Sequence, residues 1–84
     1  MNLPKDVNAV DLHVGRRVAI LRMKAKKSSD RFAYELGMTT EALEEREQGL
    51  VRFSPTELYS VCQILDTKPA KIFSGLINTP KDGD

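Results

Sequence analysis

One cysteine, one histidine and no long apolar run in 84 residues leave few chemistries open to this chain. A lone thiol, Cys62, excludes an internal disulfide and any metal cage built from several cysteines. No run approaches the roughly 20 apolar residues that a bilayer span needs, and the first residues lack the apolar stretch of a signal peptide. A cytoplasmic protein with no membrane partner is the expectation. Glycine-rich phosphate loops and zinc motifs are absent, so no cofactor is expected. His13 has no carboxylate or thiol at ligand spacing and reads as a surface or cap residue. Ser28 and Ser29 have no histidine nearby, and exposed glutamates have nothing to raise their pKa. An enzyme is not expected.

What is present is an ordinary globular composition, 40% apolar and 30% charged, in a length that suits one small domain. The net charge of +1 points to no partner, but its distribution is uneven. Arg16, Arg17, Arg22, Lys24, Lys26, Lys27 and Arg31 crowd the first part of the chain, opposed there only by Asp30. Glu35, Glu41, Glu44, Glu45, Glu47 and Glu57 then dominate the middle, against Arg46 and Arg52.

The pattern predicts five short helices and no strands. Residues 1–9 lack periodicity and read as an arm, 10–77 as the domain, and 78–84 as a disordered tail. Asp11 is a plausible N-cap for a first helix reaching about Lys24, with Val14, Val18, Leu21 and Ala25 at helical spacing. Gly15 inside it costs about 1 kcal/mol relative to alanine, which implies either close packing or a later helix start. Ser28 caps a second helix with Phe32, Ala33 and Leu36 on its apolar side, ended by Gly37. Thr39 caps a third, running to Gln48 before Gly49. Ser54-Pro55-Thr56-Glu57 joins a capping box to a proline at the first helical position. It opens a fourth helix with Leu58, Val61, Cys62 and Leu65 on one side. Pro69 opens a fifth, with Ile72, Phe73 and Leu76. Cys62 reads as an inert core thiol.

The second and third helices form a helix-turn-helix pattern. Gly37 supplies the left-handed turn residue and Ala33 the small contact residue, while Leu36, Met38 and Leu43 pin the angle between the helices. Over Val14 to Phe73 the run Gly-Arg-Arg-Val-x-x-Leu-Arg, then Ser-x-x-x-Phe-Ala-x-x-Leu-Gly-Met-Thr, then Leu43, Glu47, Gly49, Leu58, Leu65-Asp66 and Ile72-Phe73 resembles the Cro/lambda-repressor-type family. The resemblance is to its short bacterial single-domain transcriptional regulators.

It implies an all-α, five-helix, lambda-repressor-like DNA-binding domain, double-stranded DNA as ligand, and a homodimer. In such a fold the third helix enters the major groove. Base-reading positions then fall on Thr40, Glu41, Glu44 and Glu45, next to the cap Thr39. Lys26, Lys27, Ser28 and Ser29 lie where a phosphate would be met, as does Arg52 in the following loop. An arginine–glutamate pair of the family falls on Arg22 and Glu47 and reads as structural. The chain departs from the family in having serine at position 29, where glutamine is frequent, Phe53-Ser54-Pro55 before the fourth helix, and an acidic reading helix.

At about 100° per residue, Thr40, Glu41, Glu44, Glu45 and Gln48 share an arc of about 140°. A carboxylate can accept from cytosine N4, but three of them face a dense line of phosphates. Two readings stay open. The chain binds DNA with its basic positions docking the backbone, or it is a protein-interaction module, anti-repressor or antitoxin-like, whose acidic helix faces a basic partner. Ile72, Phe73, Leu76 and Ile77 are the expected dimer contact.

Overall fold

A computed structural model describes residues 7–75, which form five helices: α1 (Ala9–Lys24), α2 (Ser29–Leu36), α3 (Thr40–Glu47), α4 (Pro55–Leu65) and α5 (Pro69–Phe73). Leu76 and Ile77, the tail 78–84 and most of the arm lie outside the described residues. Each helix sends a large, fully buried side chain into a common core: Val18, Phe32, Leu43, Val61 and Ile72. Val14, Ala33, Phe53 and Cys62 complete it, and burial raises the Cys62 thiol above its ordinary pKa.

The start of α1 differs from the expectation. Asn8, not Asp11, is the N-cap, its Oδ1 accepting from the N–H groups of Val10 at 2.7 Å and Asp11 at 3.3 Å. Asp11 therefore sits in the first turn, where a carboxylate favours the positive end of the helix. Ala25, expected on the apolar stripe, is the exposed C-cap. Ser28, Thr39 and Ser54 cap α2, α3 and α4 as read, and the capping box between Ser54 and Glu57 is complete.

Gly15 is explained by close packing. A Cβ there would meet the carbonyl oxygens of Arg46 and Glu47, the latter at 2.6 Å, so only glycine lets α1 lie against the end of α3. Phe53, which sequence reasoning did not place in the core, is buried just before the Ser54 cap. With Leu58 it occupies the two positions of a hydrophobic staple, a signal that was present in the sequence.

Helices α1 to α4 all end in the same way. In each, a residue two or three places past the helix donates to a carbonyl five residues back: Lys27 to Arg22, Met38 to Ala33, Leu50 to Glu45 and Thr67 to Cys62. This Schellman ending places the preceding residue in the left-handed region. Glycine fills that position at Gly37 (φ 76°) and Gly49 (φ 81°), but Lys26 (φ 59°) and Asp66 (φ 51°) hold it elsewhere.

Candidate nucleic-acid interface

The turn between α2 and α3 is built from local sequence. Gly37 donates its N–H to the Tyr34 carbonyl at 3.0 Å and Met38 donates to Ala33 at 3.0 Å, closing α2. Thr39 then caps α3, its Oγ1 accepting from the Ala42 N–H at 3.0 Å. Helix α3 packs against α1 and α2. Among its residues Leu43 alone is buried, and Glu41, Glu44, Glu45 and Gln48 are exposed or half-exposed. No described ion pair involves the three glutamates, so their face is a free acidic surface among the described residues. Thr40 shares that side but is half-buried, and its hydroxyl donates to Asp30 of α2 at 2.8 Å.

Polar ties hold α3 at its far end as well. Arg22 of α1 donates from Nε to Glu47 at 2.9 Å and from a terminal nitrogen at 3.2 Å. Its remaining nitrogen donates to the Lys27 carbonyl at 2.9 Å, so the one guanidinium joins α1, the α1–α2 turn and α3. The structural role read for this pair stands, with only 12% and 10% of the two side chains exposed.

A second pair escaped the sequence reading. Arg46 of α3 donates to both oxygens of Glu57 on α4, at 2.9 and 3.3 Å. Glu57 Oε1 also accepts from the Ser54 N–H at 2.9 Å. Partial burial alone would raise the Glu57 pKa, but the hydrogen bonds from Arg46 and the Ser54 backbone outweigh it and hold the carboxyl below its ordinary value.

The cations divide into engaged and open ones. Lys27 was expected beside Lys26 as a phosphate contact, but its ammonium lies 3.0 Å from Glu35, which also accepts from Arg31 at 3.0 Å. The Lys27 and Arg31 hydrogen bonds hold Glu35 below the ordinary glutamate pKa. Arg17 donates twice to the Lys71 carbonyl, at 3.1 and 3.0 Å, and His13 Nε2 lies 2.9 Å from the Ser74 carbonyl, so α1 holds the end of α5. Arg52 pairs with Asp11 at 2.9 Å on the surface, with 72% of its side chain exposed. Lys24 and Lys26 are exposed and make no described side-chain bond. At the start of α2, Ser28 Oγ accepts from the Arg31 N–H at 3.1 Å, and Ser29 follows as the first helical residue.

Apolar surface remains on the α4–α5 side. A groove of about 700 Å³ runs between them, lined by Phe53, Leu58, Cys62, Ile72 and the exposed Tyr59 and Phe73. Among the described residues no three His, Cys, Asp or Glu side chains are grouped to hold a metal ion, and no helix is long and apolar enough to cross a membrane.

The five-helix arrangement, with α2 and α3 joined by a tight turn, is a helix-turn-helix fold shared with two solved structures. It superposes on the restriction-modification controller protein C.AhdI from Aeromonas hydrophila with a TM-score of 0.73 at 23% identity, over 79% of this chain and all of that one. The clp gene regulator ClgR from C. glutamicum gives 0.74 at 21% identity, over 79% of this chain and 86% of that one. In sequence, the chain is 29% identical over 79 residues to a protein of Sinorhizobium medicae (strain WSM419) named as an HTH-type transcriptional regulator, a match spanning 94% of this chain. The chain spans about half, 55%, of that relative's length. No family model matches the chain.

Proposed function

We propose that the chain is a sequence-specific double-stranded DNA-binding transcriptional regulator of the cytoplasm. The observation that carries this reading is the presentation of α3: a capped helix, fixed to α1, α2 and α4, whose outer face is turned away from the core. Relatives named as regulators of the same helix-turn-helix type support it. Thr39, Thr40, Glu41, Glu44 and Glu45 meet the major groove. Ser28 and Ser29 offer the N-terminus of α2 to a phosphate. Lys24, Lys26, Lys27 and Arg52 supply the cations that dock the backbone, Lys27 and Arg52 while also paired with Glu35 and Asp11. The regulator works as a homodimer through the α4–α5 groove, where Tyr59 and Phe73 leave apolar surface for a second copy.

The free carboxylates of Glu41, Glu44 and Glu45 favour one rival, a protein-interaction module whose α3 meets a basic protein. The two are separated by titrating random-sequence duplex with the full chain at low salt. DNA binding predicts a logarithm of affinity that falls linearly with the logarithm of salt concentration. Lys24→Ala with Lys26→Ala then lowers affinity for every sequence and reduces the slope by about 1 for each phosphate left without its cation. Glu44→Gln with Glu45→Gln leaves affinity level or raises it. Duplex binding that stays undetectable at low salt would reject the DNA reading in favour of the module.

A further inference from the structure

We infer that Arg46 and Glu57 are positioning residues for the outer face of α3, setting how that helix is rolled toward its ligand. The inference rests on the proposed DNA-binding reading. Its starting point is how little apolar anchorage α3 has. An eight-residue helix with Leu43 as its one buried side chain has a pivot but no apolar stripe. Rotation about that pivot would re-aim Glu41, Glu44 and Glu45 without exposing other buried apolar groups. The α1 backbone at Gly15 closes on the last turn of α3, and side-chain ties must supply the rest of the hold on its roll.

The described polar ties are placed to do so. Thr40 is held to Asp30 on α2 at the first turn. At the last turn, neighbouring residues are drawn to different partners, Arg46 to Glu57 on α4 and Glu47 to Arg22 on α1. Adjacent helical side chains diverge by about 100°, so two such grips at one level oppose rotation in both senses. Planar guanidinium–carboxylate pairs with two bonds each also restrict angle as well as distance. The Arg22 grip is the one that the family resemblance implies. The Arg46–Glu57 grip is the described polar tie from α3 to α4, and Glu57 is itself fixed by the Ser54 cap. The roll of α3 is thereby referred to the start of α4.

The test is a double-mutant cycle on the full chain. Arg46→Met keeps the aliphatic stem and loses the fork. Glu57→Gln loses the charge but can still accept from the Ser54 N–H, so the cap survives. Two probes are used: a duplex enriched from a random pool by the unsubstituted protein, and the pool itself. Each single variant should weaken the enriched duplex about tenfold, as one mismatched base pair would. The double variant should lose no more than the worse single, because both remove one interaction. Affinity for the pool and its salt slope should not move. A parallel fall for both probes with a shallower slope would make Arg46 a phosphate contact and overturn the proposal, as would additive losses or no loss.

Orientation of the α3 amides relative to α1, from residual dipolar couplings, is measured on the same variants without DNA. A reorientation of α3 in both singles supports the grip, and an unchanged orientation overturns it. If the unsubstituted chain binds no duplex, the function reading fails while this arm still decides the positioning role. Should Arg46→Met unfold, Arg46→Lys replaces it, keeping the charge without the two-pronged geometry.

Discussion

Helices α3 and α4 border the same core but reach it by different means. Helix α4 buries Val61 and Cys62, brings Leu58, Ile64 and Leu65 against the cluster, and begins with a proline and a completed capping box. Helix α3 buries Leu43, meets α1 at Gly15 through its backbone, and is otherwise tied by Thr40, Arg46 and Glu47. Apolar burial is strong but indifferent to direction, whereas a forked ion pair is weaker and directional. The molecule therefore commits its apolar residues to a body that stays folded and its polar ties to a helix that must face one way.

Removing the pivot should have the largest effect on that contrast. Leu43→Ala deletes the one buried side chain of α3 and should cost about 3 kcal/mol in urea unfolding, a large share of the stability of so small a domain. Gly15→Ala comes next. Helix propensity alone would favour it by about 1 kcal/mol, yet the added methyl has no room beside the Arg46 and Glu47 carbonyls. A net loss of about 2 kcal/mol is expected from this overpacking, and a stabilised variant would show that α1 and α3 are less tightly apposed.

Acid should act on the tie between the two helices before it acts on the core. The folded Glu57 carboxyl stays charged at lower pH than its unfolded counterpart. Its contribution is thus complete above the ordinary glutamate range and is lost as pH falls through the depressed folded value. Melts recorded down that range should fall less steeply for Arg46→Met than for the unsubstituted chain. Equal slopes would remove the ion pair from the account.

The smallest effect is expected at the end of α1. Lys26 holds a left-handed backbone that glycine adopts without strain. Lys26→Gly should raise stability by up to about 1 kcal/mol while weakening duplex binding. A gain in stability with no change in binding would remove Lys26 from the docking surface.

Much of this was legible because it is local. Ser28, Gly37, Thr39 and the Ser54–Glu57 box act within three or four residues of themselves, so the turn and the start of α4 could be read directly. The start of α1 was misplaced because Asn8 and Asp11 can both cap a helix and the sequence does not rank them. Leu43 and the glutamate face followed from helical period alone. Arg46–Glu57, Arg17 on the Lys71 carbonyl and Lys27–Glu35 did not, because charged side chains choose partners by tertiary approach. The last of these moved Lys27 from an open cation to a paired one.

The decisive measurement is amide chemical-shift mapping of the full chain during titration with random-sequence duplex at low salt. Shifts gathered on Thr39 to Gln48 and on the start of α2, fading as salt is added, are the predicted result. Shifts confined to α4 and α5, or none at the lowest salt, would contradict the claim that α3 is the surface this protein offers to DNA.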